Sequence, residues 1–154
     1  MKHAALPVVA LLALAVPAVA VAQAGAPPVE YLTSGTATTL PFSEAVRVGN
    51  VLYLSGMVGV TPGTTQVVSG GIEAETRQVL DNIRAVLVRH GSSLDQVVKC
   101  TVMLTDMAEW SRMNVVYATY FTRHLPARSA IGANGLALGA RVEIECIAVA
   151  GGAG

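Results

Sequence analysis

The chain has 154 residues and a mass of 15.8 kDa, is 53% hydrophobic and 13% charged, and carries Lys+Arg 10 against Asp+Glu 10. That length suits one domain with one core. The balanced charge offers no basic surface for nucleic acid or an anionic membrane, so electrostatics points to no polymeric partner.

The chain opens with "MKHAALPVVALLALAVPAVAVAQAGAPP", in which Lys2 and His3 precede an apolar run broken by Pro7 and Pro17. "AQA" at Ala22 to Ala24 fits a small-residue cleavage site, so residues 1–24 read as a secretory signal peptide. The competing reading is an uncleaved anchor, because the apolar run approaches spanning length. Residues 25–39 then form a small-residue tether, and 40–154 the globular domain, exported to the periplasm or beyond.

"EAVRVGNVLYLSG" is two β-rich runs about Gly49-Asn50, a dipeptide suited to the positive φ angles of a tight hairpin. From Ile72 the period changes. Thr76, Val79, Leu80, Ile83, Val86 and Leu87 recur at three and four residues, with Glu73, Glu75, Arg77, Asp81 and Arg84 on the other face. This predicts an amphipathic helix that Gly91 stops. "DQVVKCTVMLTD" is a strand of β-branched residues, and Thr105 or Asp106 can cap the next helix. There Met107, Trp110, Met113, Tyr117, Tyr120 and Phe121 keep helical spacing and read as a core stripe.

"ARSAIGANG" and "ARVEIECIAVAG" close the chain as two strands. The order is ββαβαββ, an α+β domain with two helices on one face of a mainly antiparallel sheet. A turn about Asn134-Gly135 or Gly135-Leu136 would pair these last strands and set Arg128 on one face with Arg141, Glu143 and Glu145. Arg128 is then either a cross-strand ion-pair partner of Glu143, worth about 0.2–1 kcal/mol, or part of a functional site. Cys100 and Cys146 sit in strand-like runs and read as buried core thiols; a bridge would need Cα atoms roughly 4.4–6.8 Å apart. No His or carboxylate cluster surrounds either one at zinc-site spacing.

Six stretches, "PFSEAVRVGNVLYLSG", "IEAETRQVLDNIRAVL", "GSSLDQVVKCTVMLTDM", "MNVVYATYF", "PARSAI" and "VEIECIAV", together resemble the RidA (YjgF) family of reactive-intermediate deaminases over nearly all of Pro41 to Val149. The resemblance implies a chorismate-mutase-like fold assembled as a homotrimer, with small-ligand clefts between neighbouring subunits. It also implies that Arg128 binds the carboxylate of a 2-imino acid and that Glu143 helps activate water. Those residue types suit that chemistry. A guanidinium holds a carboxylate bidentately without titrating, and a glutamate can orient or deprotonate the water that attacks the imine carbon. Ammonia leaves and a 2-oxo acid remains. No metal or organic cofactor is called for, because the imine is already electrophilic.

Asn114 matches a polar position near the family's cleft, Ser55 and Gly56 resemble its "SGQ" turn, and Ser129 is placed to donate a hydrogen bond at the site. Phe42 stands where the well-studied deaminases carry a tyrosine, and Met57 replaces an amide side chain. Losing a preorganised donor weakens transition-state stabilisation, and Phe42 suits a larger, more apolar substrate. The alternative to an imine deaminase is a non-catalytic trimeric module binding a small carboxylate in the same cleft. A ribonuclease role is disfavoured by the neutral charge and the lack of a basic stripe with interleaved aromatics.

Overall fold

The computed structural model describes residues 25–34 and 40–151. The segment read as a signal peptide lies outside the described residues. The strands are β1 (Val29–Leu32), β2 (Ala45–Val48), β3 (Val51–Leu54), β4 (Met57–Val58), β5 (Val97–Leu104), β6 (Ala127–Gly132) and β7 (Val142–Val149). Helix α1 (Gly71–Arg89) lies between β4 and β5, and α2 (Trp110–Tyr120) between β5 and β6. They form one sheet in the order β1-β2-β3-β7-β5-β6, with β4 also pairing β7.

The local signals act as their chemistry demands. Gly49, at φ 60°, turns β2 into β3 in register Val48 to Val51. The apolar stripe of α1 is buried from Ile72 to Leu87, and Gly91, at φ 74°, follows its last turn. The Asp106 carboxylate accepts from the Ala108 amide at 2.9 Å, capping the short 3-10 turn that leads into α2. Leu80, Ile83 and Leu87 of α1 meet Val102 and Leu104 of β5 and Val142, Ile144 and Ala148 of β7 in a single core between helices and sheet. Each fully buried aliphatic side chain contributes about 1.5–3 kcal/mol.

The closing strands differ from the hairpin that the Gly135 turn suggested. β5 lies between them: β7 runs antiparallel to β5, and β6 lies parallel on its outer side, as the edge strand. The reason is α2. A strand, a helix and a returning strand make a crossover, which delivers a parallel neighbour. Residues 133–141 then serve as a longer connection that carries the chain past β5, with Leu138 at φ 59° in its turn.

Three further expectations are corrected. Cys100 and Cys146 are not free thiols: they face each other across β5 and β7 and form a disulfide, with Cα atoms 4.1 Å apart, slightly closer than the usual range. Within the stretch read as a tether, Val29–Leu32 pairs antiparallel with β2 and extends the sheet. The aromatic and methionine stripe of α2 is only partly core. Met113, Tyr117 and Phe121 are buried, whereas Met107 and Trp110 remain 45% and 40% exposed, because they lie at the sheet's edge, which ends at β6.

Candidate functional site

Arg128 is on β6 with Cys100 of β5 as its neighbour, and Cys100 in turn faces Cys146. Side chains in laterally paired positions share a face, and Cys100 and Cys146 belong to the core. Arg128 therefore lies on the helix-bearing face, the opposite of the face that a hairpin with β7 would give it. Its guanidinium carbon sits 4.5 Å from the centre of the Tyr117 ring and 6.0 Å from that of Trp110, both on α2. A cation over these ring faces is attracted by their quadrupole. Among the described residues no carboxylate pairs with it.

Glu143 belongs to the other face. Its row on the sheet passes through Met103 to Ile131, three residues along β6 from Arg128. Two strand spacings across and three residues along put the Arg128 and Glu143 Cα atoms roughly 14 Å apart, with side chains on opposite faces. The cross-strand ion pair within one subunit is thereby excluded, and so is its account of why an arginine stands in this strand.

The remaining candidate residues sort into two groups. Asn114, on α2 one turn before Tyr117, is with Arg128; its Oδ1 and the Tyr117 hydroxyl are both buried and without a hydrogen-bond partner among the described residues. Burial pushes the Tyr117 phenol up to about 12, so it stays protonated. Gly56 is with Glu143, and Ser55 precedes it after the end of β3. The Ser55 hydroxyl donates to the Ser43 carbonyl at 2.7 Å, tying the Phe42 loop to the end of β3, and the Phe42 ring is 53% exposed. Gly56 packs directly on the Glu143 side chain: a Cβ there would lie 3.0 Å from Cδ and closer still to Oε1. Met57, paired with Ile144, packs against the core.

Ser129 points to the open face, where it accepts a hydrogen bond from Lys99 Nζ at 2.8 Å. It is thus separated from Arg128, its sequence neighbour. On that face a groove of about 210 Å³ is bordered by Tyr53, Lys99, Thr101, Glu145 and Ile147, and holds none of the other candidates.

The start of β7, and with it Glu143, is anchored by a residue read only as part of a polar helix face. Glu75 is 5% exposed; its Oε2 accepts the Arg141 backbone N–H at 2.7 Å, and the Arg141 guanidinium also reaches Glu109 at 3.2 Å. Tyr117 and Trp110 were legible only as helical apolar spacing, and nothing in that period signals an arginine over the rings. Glu75 gave no signal of its own, since its partner is a backbone amide far along the chain.

Comparison with known proteins supplies the context of this geometry. The family model described as endoribonuclease L-PSP matches residues 33–150. A mouse protein named 2-iminobutanoate/2-iminopropanoate deaminase is 44% identical over 119 residues, 77% of this chain and 88% of its own length. The chloroplastic Reactive Intermediate Deaminase A of Arabidopsis thaliana is 43% identical over 108 residues, 70% of this chain and 58% of its own. Among solved structures, YyfA of Yersinia pestis, a protein of the Rid family, superposes with a TM-score of 0.74 at 38% identity, covering 79% of this chain and 99% of its own. With motifs, topology and relatives in agreement, the chain belongs to the RidA (YjgF) family.

Proposed function

We propose that the protein hydrolyses reactive 2-imino or enamine acids to 2-oxo acids and ammonia, in clefts where one subunit supplies Arg128 and its neighbour supplies Glu143. The observation that carries this reading is the separation itself. One subunit holds, beside its sheet edge, an arginine with no anionic partner among the described residues, and on the opposite face a glutamate seated on Gly56. A ring of identical subunits brings unlike surfaces together and can join these halves. The relatives' named substrates, 2-iminobutanoate and 2-iminopropanoate, each offer a carboxylate to a guanidinium and an imine to water.

In the assembled cleft Arg128, steadied by the Tyr117 and Trp110 rings, binds the carboxylate and fixes the imine carbon. Asn114 Oδ1 lies on the same helix, placed to accept from the imine nitrogen. Glu143 takes a proton from water as the oxygen adds to the imine carbon, giving a carbinolamine. With the imine entering N-protonated, Glu143 returns its proton to the carbinolamine nitrogen and takes the hydroxyl proton as the C–N bond breaks, so that ammonia leaves, the 2-oxo acid remains and the carboxyl then loses that proton to solvent. Such positioned proton transfer contributes typically 10²–10⁴-fold.

Phe42 and Met57 favour the second reading, a trimeric carboxylate-binding module, because neither can donate a hydrogen bond to the ligand. Freshly generated 2-imino acids of several side-chain sizes, with semicarbazide trapping to follow their loss, separate the two. Faster imine loss that Arg128→Lys and Glu143→Gln each abolish in folded trimers supports the deaminase. An inactive wild type that binds a 2-oxo acid equally well after Glu143→Gln supports the module.

A further inference from the structure

We propose that the Tyr117 hydroxyl donates a hydrogen bond to the substrate carboxylate held on Arg128. The proposal rests on the reading of Arg128 as the carboxylate's anchor and adds a residue that the family motifs do not single out. Tyr117 is 5% exposed, and its ring, packed on Phe121 with centroids 4.6 Å apart, is fixed in place. Its hydroxyl is buried with no partner among the described residues, and a buried donor without an acceptor is destabilising. The chain treats its other α2 tyrosine differently: the Tyr120 hydroxyl, three residues on, donates to Asp81 Oδ1 at 2.9 Å. Where a tyrosine hydroxyl serves the fold it is satisfied within the subunit.

The orphaned hydroxyl stands at the rim of the ring that the Arg128 guanidinium covers. A carboxylate seated on that guanidinium brings negatively charged acceptor oxygens to the same place. Because burial keeps the phenol protonated far above neutral pH, it is a donor throughout the working range. The Asn114 Oδ1, one turn earlier, is an acceptor in the same unsatisfied condition. An unsatisfied donor and an unsatisfied acceptor on one helix beside an arginine are complementary to a ligand with an anionic end and an N–H group, such as a 2-imino acid.

Tyr117→Phe removes one atom and keeps the ring under Arg128. The chain's only tryptophan, Trp110, lies within 6.0 Å of that guanidinium, so its fluorescence reports binding of 2-oxobutanoate, the product-class ligand. The expected result in the trimer is a Kd for 2-oxobutanoate and a KM for 2-iminobutanoate about tenfold higher, as suits loss of a bond to a charged acceptor. kcat should stay within twofold and the melting temperature should hold or rise, since an unsatisfied polar atom has left the free protein. Unchanged Kd and KM would overturn the proposal, and so would a variant that melts lower or fails to fold, because the hydroxyl would then serve the core. Arg128→Lys, measured alongside, separates the two levels. If it binds normally, the anchor reading and this proposal both fall; if it binds weakly while Tyr117→Phe is normal, only the hydroxyl's role falls.

Discussion

Gly56→Ala should inactivate the protein while leaving it folded. Gly56 has no positive φ, so alanine is compatible with its backbone; what it meets is the Glu143 side chain, Cδ at 3.0 Å and Cγ at 3.3 Å from the new Cβ, with Oε1 nearer still. Ordinary contact begins near 3.4 Å and Oε1 would lie far inside that limit, so the carboxylate must swing aside by about 1.4 Å, and misplacement of even about 1 Å can cost about 10²-fold in rate. Stability should change by less than about 1 kcal/mol, because a partly exposed carboxylate can rotate toward solvent without opening a cavity. Semicarbazide-trapped imine hydrolysis and thermal unfolding, run on the same trimer preparation, read the two effects separately. A double-mutant cycle sharpens the test: with Glu143→Ala already present, Gly56→Ala should have no further effect on rate, since it acts only through that carboxylate. Wild-type kcat/KM in folded Gly56→Ala, or a rate loss that persists without Glu143, would refute the placement of the glutamate at the reacting water.

The Cys100–Cys146 disulfide spans 46 residues, and the chain-entropy relation gives about 4 kcal/mol for a loop of that size; urea denaturation at fixed protein concentration should show a lower midpoint with dithiothreitol, and equal midpoints would mean the bond does not form in solution. Burial lowers the His90 pKa below its usual 6.5, so the unfolded chain takes up a proton that the folded one refuses. Its contribution is therefore complete above about pH 6.5 and is lost as pH falls below it; His90→Gln should flatten the acid side of the stability profile measured by denaturation between pH 7 and 5. Export predicts a mature chain beginning near Gln23 or Gly25 in the envelope fraction, an oxidising setting in which the disulfide would persist, whereas N-terminal sequencing that found Met1 on a cytoplasmic protein would contradict it.

Local chemistry made much of the fold legible. The Gly49-Asn50 hairpin, the α1 stripe from Ile72 to Leu87 and the Asp106 cap each depend on residues a few positions apart, and each formed where the sequence placed it. The errors at the closing strands share one cause. The neighbours of β6 depend on whether α2 acts as a crossover, which no residue of "ARSAIGANG" encodes, and the mistaken hairpin reversed the face of Arg128; Ser129, its strand neighbour, points to the opposite face under either pairing. The same missing register hid the disulfide, since Cys100 and Cys146 face each other only because β5 and β7 are paired. The identities of Arg128 and Glu143 as candidates came from motif resemblance. Their separation onto opposite faces, and the service of Tyr117 beneath the guanidinium, came only from the assembled sheet.

The most direct test of a composite site is complementation between two inactive variants. Arg128→Ala and Glu143→Gln variants, each expected to be inactive alone, are dissociated from the proposed trimer, mixed in equal amounts and reassembled, and imine hydrolysis is compared with that of wild type treated alike. If each cleft takes its arginine from one subunit and its glutamate from the next, random reassembly places both intact groups in roughly a quarter of the clefts, and activity returns to about that fraction. If both groups must come from the same subunit, no mixed trimer contains an intact site. The account predicts recovery near one quarter; reassembled trimers that stay inactive would contradict it.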